Sequence, residues 1–359
     1  MRIVIVGATG NVGTAVLRRL HGVGHELVGA VRRPPDEGAA PYDGVDWHRV
    51  DVAQPEAALQ LERAFAGADA VLHLAWLLQP NRREAVMRAT NVDGTWQVLS
   101  AAARAGVPHV VVVSSVAAYS AGPKTTRVGE DWPTGGIHSS HYSRHKAATE
   151  RLFDEFEARH PDVVLTRVRP GLVFQRDAAT EVGRLFVGAR RPRRWIGRLR
   201  PPVLPMPREV ISQAVHADDL ADALARIIEL RAPGAFNIAG EPVLDPEQVR
   251  RVIGARTVVP VPRAVVRAAM WTGWVLGVQA ADPGWLDIAT NVPVMSTERA
   301  RRDLGWTPQR RSTDALREML DGVGDAAHLP ASPPLARQGG RAAAAPRHRH
   351  RLGATAGRA

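Results

Sequence analysis

A doubly wound parallel α/β sheet, with a smaller α/β lobe after it and a disordered basic tail, is the fold class this sequence predicts. Three observations carry it. Over the first 170 residues, short β-branched runs alternate with longer helical patterns. The first run leads directly into "GATGNVG", residues 7–13, with glycines at spacing three and three. After residue 171 the alternation loosens, and the chain closes on a stretch of Ala, Pro, Gly and Arg. A composition of 45% hydrophobic and 23% charged residues suits a soluble chain with a full core.

The strand candidates are "RIVIVG", "HELVGAV", "VDWHRV", "DAVLHLA", "HVVVVSS" and "DVVLTRVRP". Between them stand "GTAVLRRLHGVG", "PEAALQLERAFAG", "RREAVMRATNVDGTWQVLSAAARAG" and "YSRHKAATERLFDEFEARH", each with apolar residues on a helical repeat. Strand and helix in alternation imply right-handed crossovers and a parallel sheet covered on both faces. Residues 1–170 therefore read as a dinucleotide-binding domain, with 211–240 returning to it through "ADDLADALARIIEL" and "AFNIA". Residues 171–325 read as mostly a substrate lobe, with helical patterns near 246–254, 263–278 and 313–321. Residues 326–359 read as disordered, because they contain almost no large apolar side chain to offset ordering entropy.

Charge points away from nucleic acid once its position is considered. Of the net +11, six arginines without any acid lie in that tail, so more than half of the excess is there. No aromatic residue interleaves them, which removes stacking and leaves no specific nucleic-acid site. Cysteine is absent, no apolar run approaches a membrane span, and the first residues enter a strand without a cleavable leader pattern. A cytoplasmic location without membrane attachment is expected. His138, His141 and His145 have no carboxylate among them in sequence, so no metal site is expected.

The glycines have separable tasks after a strand and before a helix. Gly7 permits the turn, Gly10 lets the backbone approach a pyrophosphate, and Gly13 lets the helix lie on its strand. Where the second strand ends, an NAD site would have a carboxylate for the ribose hydroxyls. Here Arg32 and Arg33 stand in its place, and a guanidinium fork suits a 2′-phosphate, so NADP(H) is favoured over NAD(H). Tyr142 and Lys146, four apart at the start of a helical pattern, share one face. A phenol working at neutral pH must be brought down by about 3 units, which a nearby ammonium and an oxidised nicotinamide would supply together. Ser114 and Ser115 end the preceding strand, where a hydroxyl could hold the reacting oxygen.

With these motifs in order, the chain resembles an extended short-chain dehydrogenase/reductase of the NAD-dependent epimerase/dehydratase branch over about residues 1–320, with a Rossmann-type fold. The family's Gly-x-x-Gly-x-x-Gly matches Gly7, Gly10 and Gly13; its Tyr-x-x-x-Lys matches Tyr142 and Lys146; its serine, four residues before a tyrosine, matches Ser115 before Tyr119. Further landmarks are "HLA" at 73–75, Asn91 in "NVDGT", "RPG" at 169–171, "VHADDLA", "FNIAG" and "LGWTP". The resemblance implies hydride transfer at an alcohol or carbonyl carbon of a small-molecule substrate. Tyr142 would exchange the proton, Ser115 would orient the substrate oxygen, and Lys146 would hold the cofactor ribose. Asn91 would help position Lys146 through a water. Around the pyrophosphate it implies Thr9, Asn11 and Val12 beside the glycines. Arg32, Asp51 and Val52 would stand at the adenosine end, and Leu74, Ala75 and Pro170 near the ribose and nicotinamide. A homodimer through the helices at 91–106 and 142–160 is also implied.

Nucleotide-sugar members of that branch carry an asparagine before a "VYG" segment. Here "RPGLVFQ" has Leu172 at that place and Gln175 for the glycine, which weighs against a nucleotide sugar. Two further readings stand beside the oxidoreductase: a nucleotide-sugar epimerase or dehydratase, and a non-catalytic NADP(H)-binding regulator. Arg190, Arg191, Arg193, Arg194, Arg198 and Arg200 read as a solvated loop rather than a diphosphate grip, and Trp195, Trp271, Trp274 and Trp285 as core rather than pocket lining.

Overall fold

A computed structural model describes residues 1–79, 82–179, 183 and 200–336. The expectations on Arg190 to Arg198, Trp195 and residues 337–359 lie outside them.

Seven parallel strands form the central sheet: β1 Arg2–Val6, β2 Glu26–Val31, β3 Asp46–Arg49, β4 Ala70–His73, β5 His109–Val113, β6 Val164–Pro170 and β7 Gly234–Ile238. Their spatial order is β7-β6-β5-β4-β1-β2-β3. Sequence order reverses between β1 and β4, so the loops leaving these two strands diverge and open a crevice at their carboxyl ends, the place where open α/β sheets bind ligands.

Strands β1, β2, β4, β5 and β6 are buried on both faces, which is why "IVIV" and "VVVV" read as continuous apolar runs rather than alternations, while the edge strand β3 is only partly covered. One face is covered by α1 (Asn11–Leu20) and the helix Ala217–Leu230, with the fully buried Trp306 closing the layer. The other is covered by α2 (Ala57–Phe65), α3 (Gly94–Arg104) and α4 (His141–Arg159). The long pattern at 82–106 is not one uniform helix. It runs Glu84–Arg88, loosens into a π-helical turn at Ala89–Asp93 and resumes as α3. That turn contains Asn91, whose side chain clasps the β4 loop by accepting from Leu77 N–H at 2.7 Å and donating to Leu77 C=O at 2.9 Å.

The smaller lobe builds its own core around Phe174, Leu244, Val252 and Leu316. It also holds two short parallel ribbons, Leu172–Phe174 with Ala214–His216 and Val203–Met206 with Thr257–Pro260.

The tail boundary requires correction. Residues 326–336, expected to be disordered, fold back onto the glycine turn: Ser332 and Leu335 are fully buried, Ser332 Oγ donates to Thr9 C=O at 2.7 Å, and Asp36 N–H donates to Ala331 C=O at 3.0 Å. Three well-placed side chains, Leu329, Ser332 and Leu335, suffice to anchor the stretch. A composition averaged over thirty-odd residues hides them.

Candidate active site

The crevice is a cleft of about 480 Å³ running from the glycine turn to the small lobe. At its entrance, Gly7 adopts φ +89°, and a Cβ there would stand 2.7 Å from Ala75 N. A Cβ on Gly13 would meet the carbonyl oxygens of Gly7 and Ala8 at 2.5 Å. These contacts require glycine for two reasons, a left-handed backbone at one and helix-on-turn packing at the other. Gly10 caps α1 without a side-chain acceptor, and no acid stands in the first turn. The helix start therefore presents free N–H donors and positive potential, a fit for a pyrophosphate.

All thirteen residues expected to touch the cofactor line the cleft, among them Thr9, Asn11, Val12, Asp51, Val52, Leu74 and Pro170. Asn11 is fixed from the far side. Gln175 Nε2 donates to its backbone and side-chain oxygens at 2.6 and 2.7 Å, and Asn11 Nδ2 donates to Val173 C=O at 3.2 Å. The "RPGLVFQ" stretch is thereby tied to the phosphate turn. Beyond β2, Arg32 and Arg33 both line the cleft. Partial burial, and to a smaller extent Arg32 beside it, lower the Arg33 pKa from its ordinary value.

Of the catalytic candidates, Ser115, Tyr142 and Lys146 all line the cleft, whereas Asn91 does not. Ser115 follows β5 beside the Tyr142 hydroxyl, whose pKa it lowers, and its Oγ accepts from Ala117 N–H at 3.1 Å. Ser114 faces the other way and donates to Glu150 Oε1 at 2.6 Å, so the adjacent serines divide into one directed at the cleft and one directed at a buried ion cluster. Tyr119, the family's landmark tyrosine, is structural: its hydroxyl donates to Asn237 Oδ1 at 2.7 Å and accepts from Arg169 at 2.9 Å, and burial pushes it to about 12.

The lowering expected of Tyr142 combines the ammonium with a bound nicotinamide, and on balance the chain's own groups act in the other direction. Burial raises the pKa, only partly countered by Ser115. Lys146 does not supply the opposing charge, because burial takes its ammonium down to about 7 despite Glu150 one turn on. Its Nζ donates to Val113 C=O at 3.0 Å and sits 3.3 Å from the ring centroid of Trp76. Burial thus favours the protonated form of the Tyr142 phenol. Because the folded-state pKa of Lys146 lies below its ordinary 10.5, the unfolded chain binds more protons between about pH 7 and 10.5, so stability should rise with pH through that window. Replacing Lys146 with Met should make the cofactor-free protein at least as stable and remove that slope, measured by chemical denaturation from pH 7 to 10.

Two residues of the site escaped the sequence reading. Trp76 follows the "HLA" landmark, and its ring meets Tyr142 edge-on at 5.8 Å. Trp285, expected in the core, covers Tyr142 at 5.0 Å and 31° from the opposite lobe. Trp271 is not core either but 55% exposed, and Trp274 lies under Arg82 at 4.8 Å. The histidines do find carboxylates in space: His141 pairs with Asp282 at 3.2 Å and His145 approaches Glu84 at 3.7 Å. Among the described residues no group of side chains is arranged to hold a metal.

A switch-point crevice with a glycine turn at one end and a Ser–Tyr–Lys set at the other defines a dinucleotide-binding enzyme of the short-chain dehydrogenase/reductase class. Residues 3–239 match the model of the NAD dependent epimerase/dehydratase family, and the chain belongs to that family. Among its relatives, an uncharacterized protein of Mycobacterium tuberculosis is 25% identical over 321 residues; the chain spans only 29% of that protein's length. The 2-alkyl-3-oxoalkanoate reductase of Stenotrophomonas maltophilia is 27% identical, the match covering 89% of this chain and 98% of the relative. The UDP-glucose 4-epimerase of Streptomyces lividans is 25% identical, covering 85% and 91%. Among solved structures, the NAD complex of Thermus thermophilus UDP-glucose 4-epimerase superposes with a TM-score of 0.66 at 19% identity, covering 90% of this chain and 99% of the epimerase, which shows the shared fold. No helix among the described residues is long and apolar enough to cross a membrane.

Proposed function

We propose that the protein is an NADP(H)-dependent oxidoreductase that reduces a carbonyl, or oxidises the matching alcohol, with Tyr142 as the acid/base. One observation carries this reading: Ser115 and Lys146 flank Tyr142 in the same cleft that the glycine turn opens. The nicotinamide, when bound, supplies or accepts the hydride. The chain does the rest. Ser115 holds the substrate oxygen, and Tyr142, protonated at rest, delivers its proton to that oxygen as the carbon is reduced. Lys146 is close enough to neutrality for its charge to respond to what binds beside it. Asn91 acts at one remove, through the Leu77 backbone that shapes the β4 loop.

The preference for NADP(H) rests on Arg32 and Arg33, two cleft-lining cations at the end of β2 where a carboxylate would otherwise meet ribose hydroxyls. Arg32→Ala should weaken NADPH binding by about 10- to 100-fold, the loss of one or two charge-assisted hydrogen bonds, and leave NADH nearly unchanged. Titration of cofactor fluorescence checks it, and equal losses for both cofactors would refute the assignment. The resemblance of the chain to a 2-alkyl-3-oxoalkanoate reductase supports the carbonyl-reducing direction.

A further inference from the structure

We propose that the substrate half of the cleft takes an uncharged, apolar carbonyl compound, an aryl or long-alkyl ketone and its alcohol, rather than a nucleotide sugar; this rests on the oxidoreductase reading above. The distribution of charge is the starting point. Among the described residues, the charged side chains lining the cleft are Arg32, Arg33 and Asp51, which follow β2 and β3, and Lys146 beside Tyr142. Past Tyr142 the walls include Trp76, Leu77, Leu172, Trp285, Ile288 and Val292, with the uncharged polar groups Gln79, Thr90, Ser212 and Gln213 among them. Gln213, one of the polar groups there, spends its donor on Met295 C=O at 3.1 Å and its acceptor on Met295 N–H at 2.6 Å.

Against the described walls a diphosphate would lose its hydration without gaining a cation from them, whereas an apolar chain or ring would gain by the same burial. The aromatic surfaces are arranged around the reacting hydroxyl. Trp285 lies tilted over the Tyr142 ring at 5.0 Å and Trp76 meets it edge-on at 5.8 Å, geometries in which π-faces attract further aromatic or alkyl groups.

The wall is also fixed in place. Asp282 Oδ1 accepts from Gly284 N–H at 2.7 Å, at the start of the helix Gly284–Asn291 that carries Trp285, while Asp282 Oδ2 pairs with His141, the residue before Tyr142. Lys124 Nζ donates to Ala289 C=O at 2.8 Å on that helix and to Ile211 C=O at 2.9 Å across the cleft. An apolar pocket preorganised in this way selects by shape and burial.

In the reductive direction the step balances. A hydride from NADPH forms the new C–H bond, the carbonyl π pair takes the Tyr142 proton as O–H, and NADP⁺ and a secondary alcohol leave while solvent reprotonates Tyr142.

The test compares benzylacetone and methyl hexyl ketone with UDP-glucose on the full chain, following NADPH oxidation for the ketones and both epimerisation and NADP⁺ reduction for the sugar. Saturable quenching of indole fluorescence by each probe, with NADP⁺ bound, gives an independent readout. The ketones are expected to exceed UDP-glucose in kcat/KM by about 100-fold or more. Trp285→Ala should lower the ketone value by about 10- to 100-fold without changing NADPH affinity. Leu172→Glu, at a position 38% exposed and tolerant of charge, should lower it in the same direction if the first variant fails to fold. Preference for UDP-glucose, ketone kinetics indifferent to both substitutions, or neither turnover nor saturable binding of any ketone would overturn the proposal. The two readings fail separately. UDP-glucose turnover that depends on Tyr142 would end the substrate assignment alone, and turnover that survives Tyr142→Phe would end the mechanism beneath it.

Discussion

Tyr142→Phe is expected to lower kcat by about 10²- to 10⁴-fold while the Kd for NADPH stays unchanged. The substitution removes one oxygen from a ring packed edge-on with Trp76 and tilted against Trp285, so the shape of the cleft is preserved. What is lost is the proton donor beside Ser115. The size follows from the role: general acid catalysis contributes on that scale, and a solvent proton would have to enter an apolar pocket to replace it. Steady-state rates with fluorescence titration of the cofactor separate the two effects. A loss of affinity with kcat retained would assign Tyr142 to binding and leave the chemistry elsewhere.

Glu150→Ala should be the most destabilising single change of the region, at about 3–5 kcal/mol. Glu150 is fully buried one turn after Lys146, accepting from Ser114 at 2.6 Å and from Arg169 at 2.8 and 2.9 Å, with Arg167 at 3.5 Å. Removing the carboxylate leaves the Arg169 guanidinium buried beneath the sheet edge with Tyr119 and one backbone carbonyl as partners. The sign with pH follows. Burial opposes ionisation, but Arg169 and Ser114 outweigh it and hold the Glu150 pKa below its ordinary 4.5. Its stabilisation is complete above that value and is lost as pH falls through the folded-state pKa, so the variant should show a shallower acid limb than the parent. Chemical denaturation at pH 7 and pH 4 measures both quantities. A destabilisation below about 1 kcal/mol would mean the arginines find other partners on relaxation.

The sheet was legible because a parallel strand buried on both faces must be written in apolar residues, and "RIVIV", "HVVVV" and "ELVGAV" have no other stable use. The glycine turn and the Tyr142–Lys146 pair were legible for a related reason: each is a local pattern whose spacing is fixed by one turn or one helix. Trp285 was not, since its partner Tyr142 lies more than a hundred residues away and a tryptophan serves equally well in a core. Trp76 adjoined a recognised landmark, and a large aromatic directly after the β4 strand was the signal that could have identified it. Ser115 was singled out from Ser114 by its place four residues before Tyr119, but that Ser114 turns to Glu150 was not legible, since that partner lies 36 residues on. The share of the help expected from the Lys146 ammonium, beside that of a nicotinamide, took no account of burial: an ammonium driven toward neutrality gives a neighbouring phenol little help. Residues 326–336 were misread because anchoring at Ser332 and Leu335 depends on the Thr9 carbonyl, contributed from the opposite end of the chain.

A crystal structure of the protein with NADP⁺ and a bound ketone would test the central claim most directly. The account predicts the pyrophosphate across the start of α1, the 2′-phosphate against Arg32, and the ketone carbon about 3–3.5 Å from the nicotinamide C4, with its oxygen reached by both Tyr142 and Ser115. A nicotinamide ring seated away from Tyr142, with Trp76 still lying over Lys146, would contradict it.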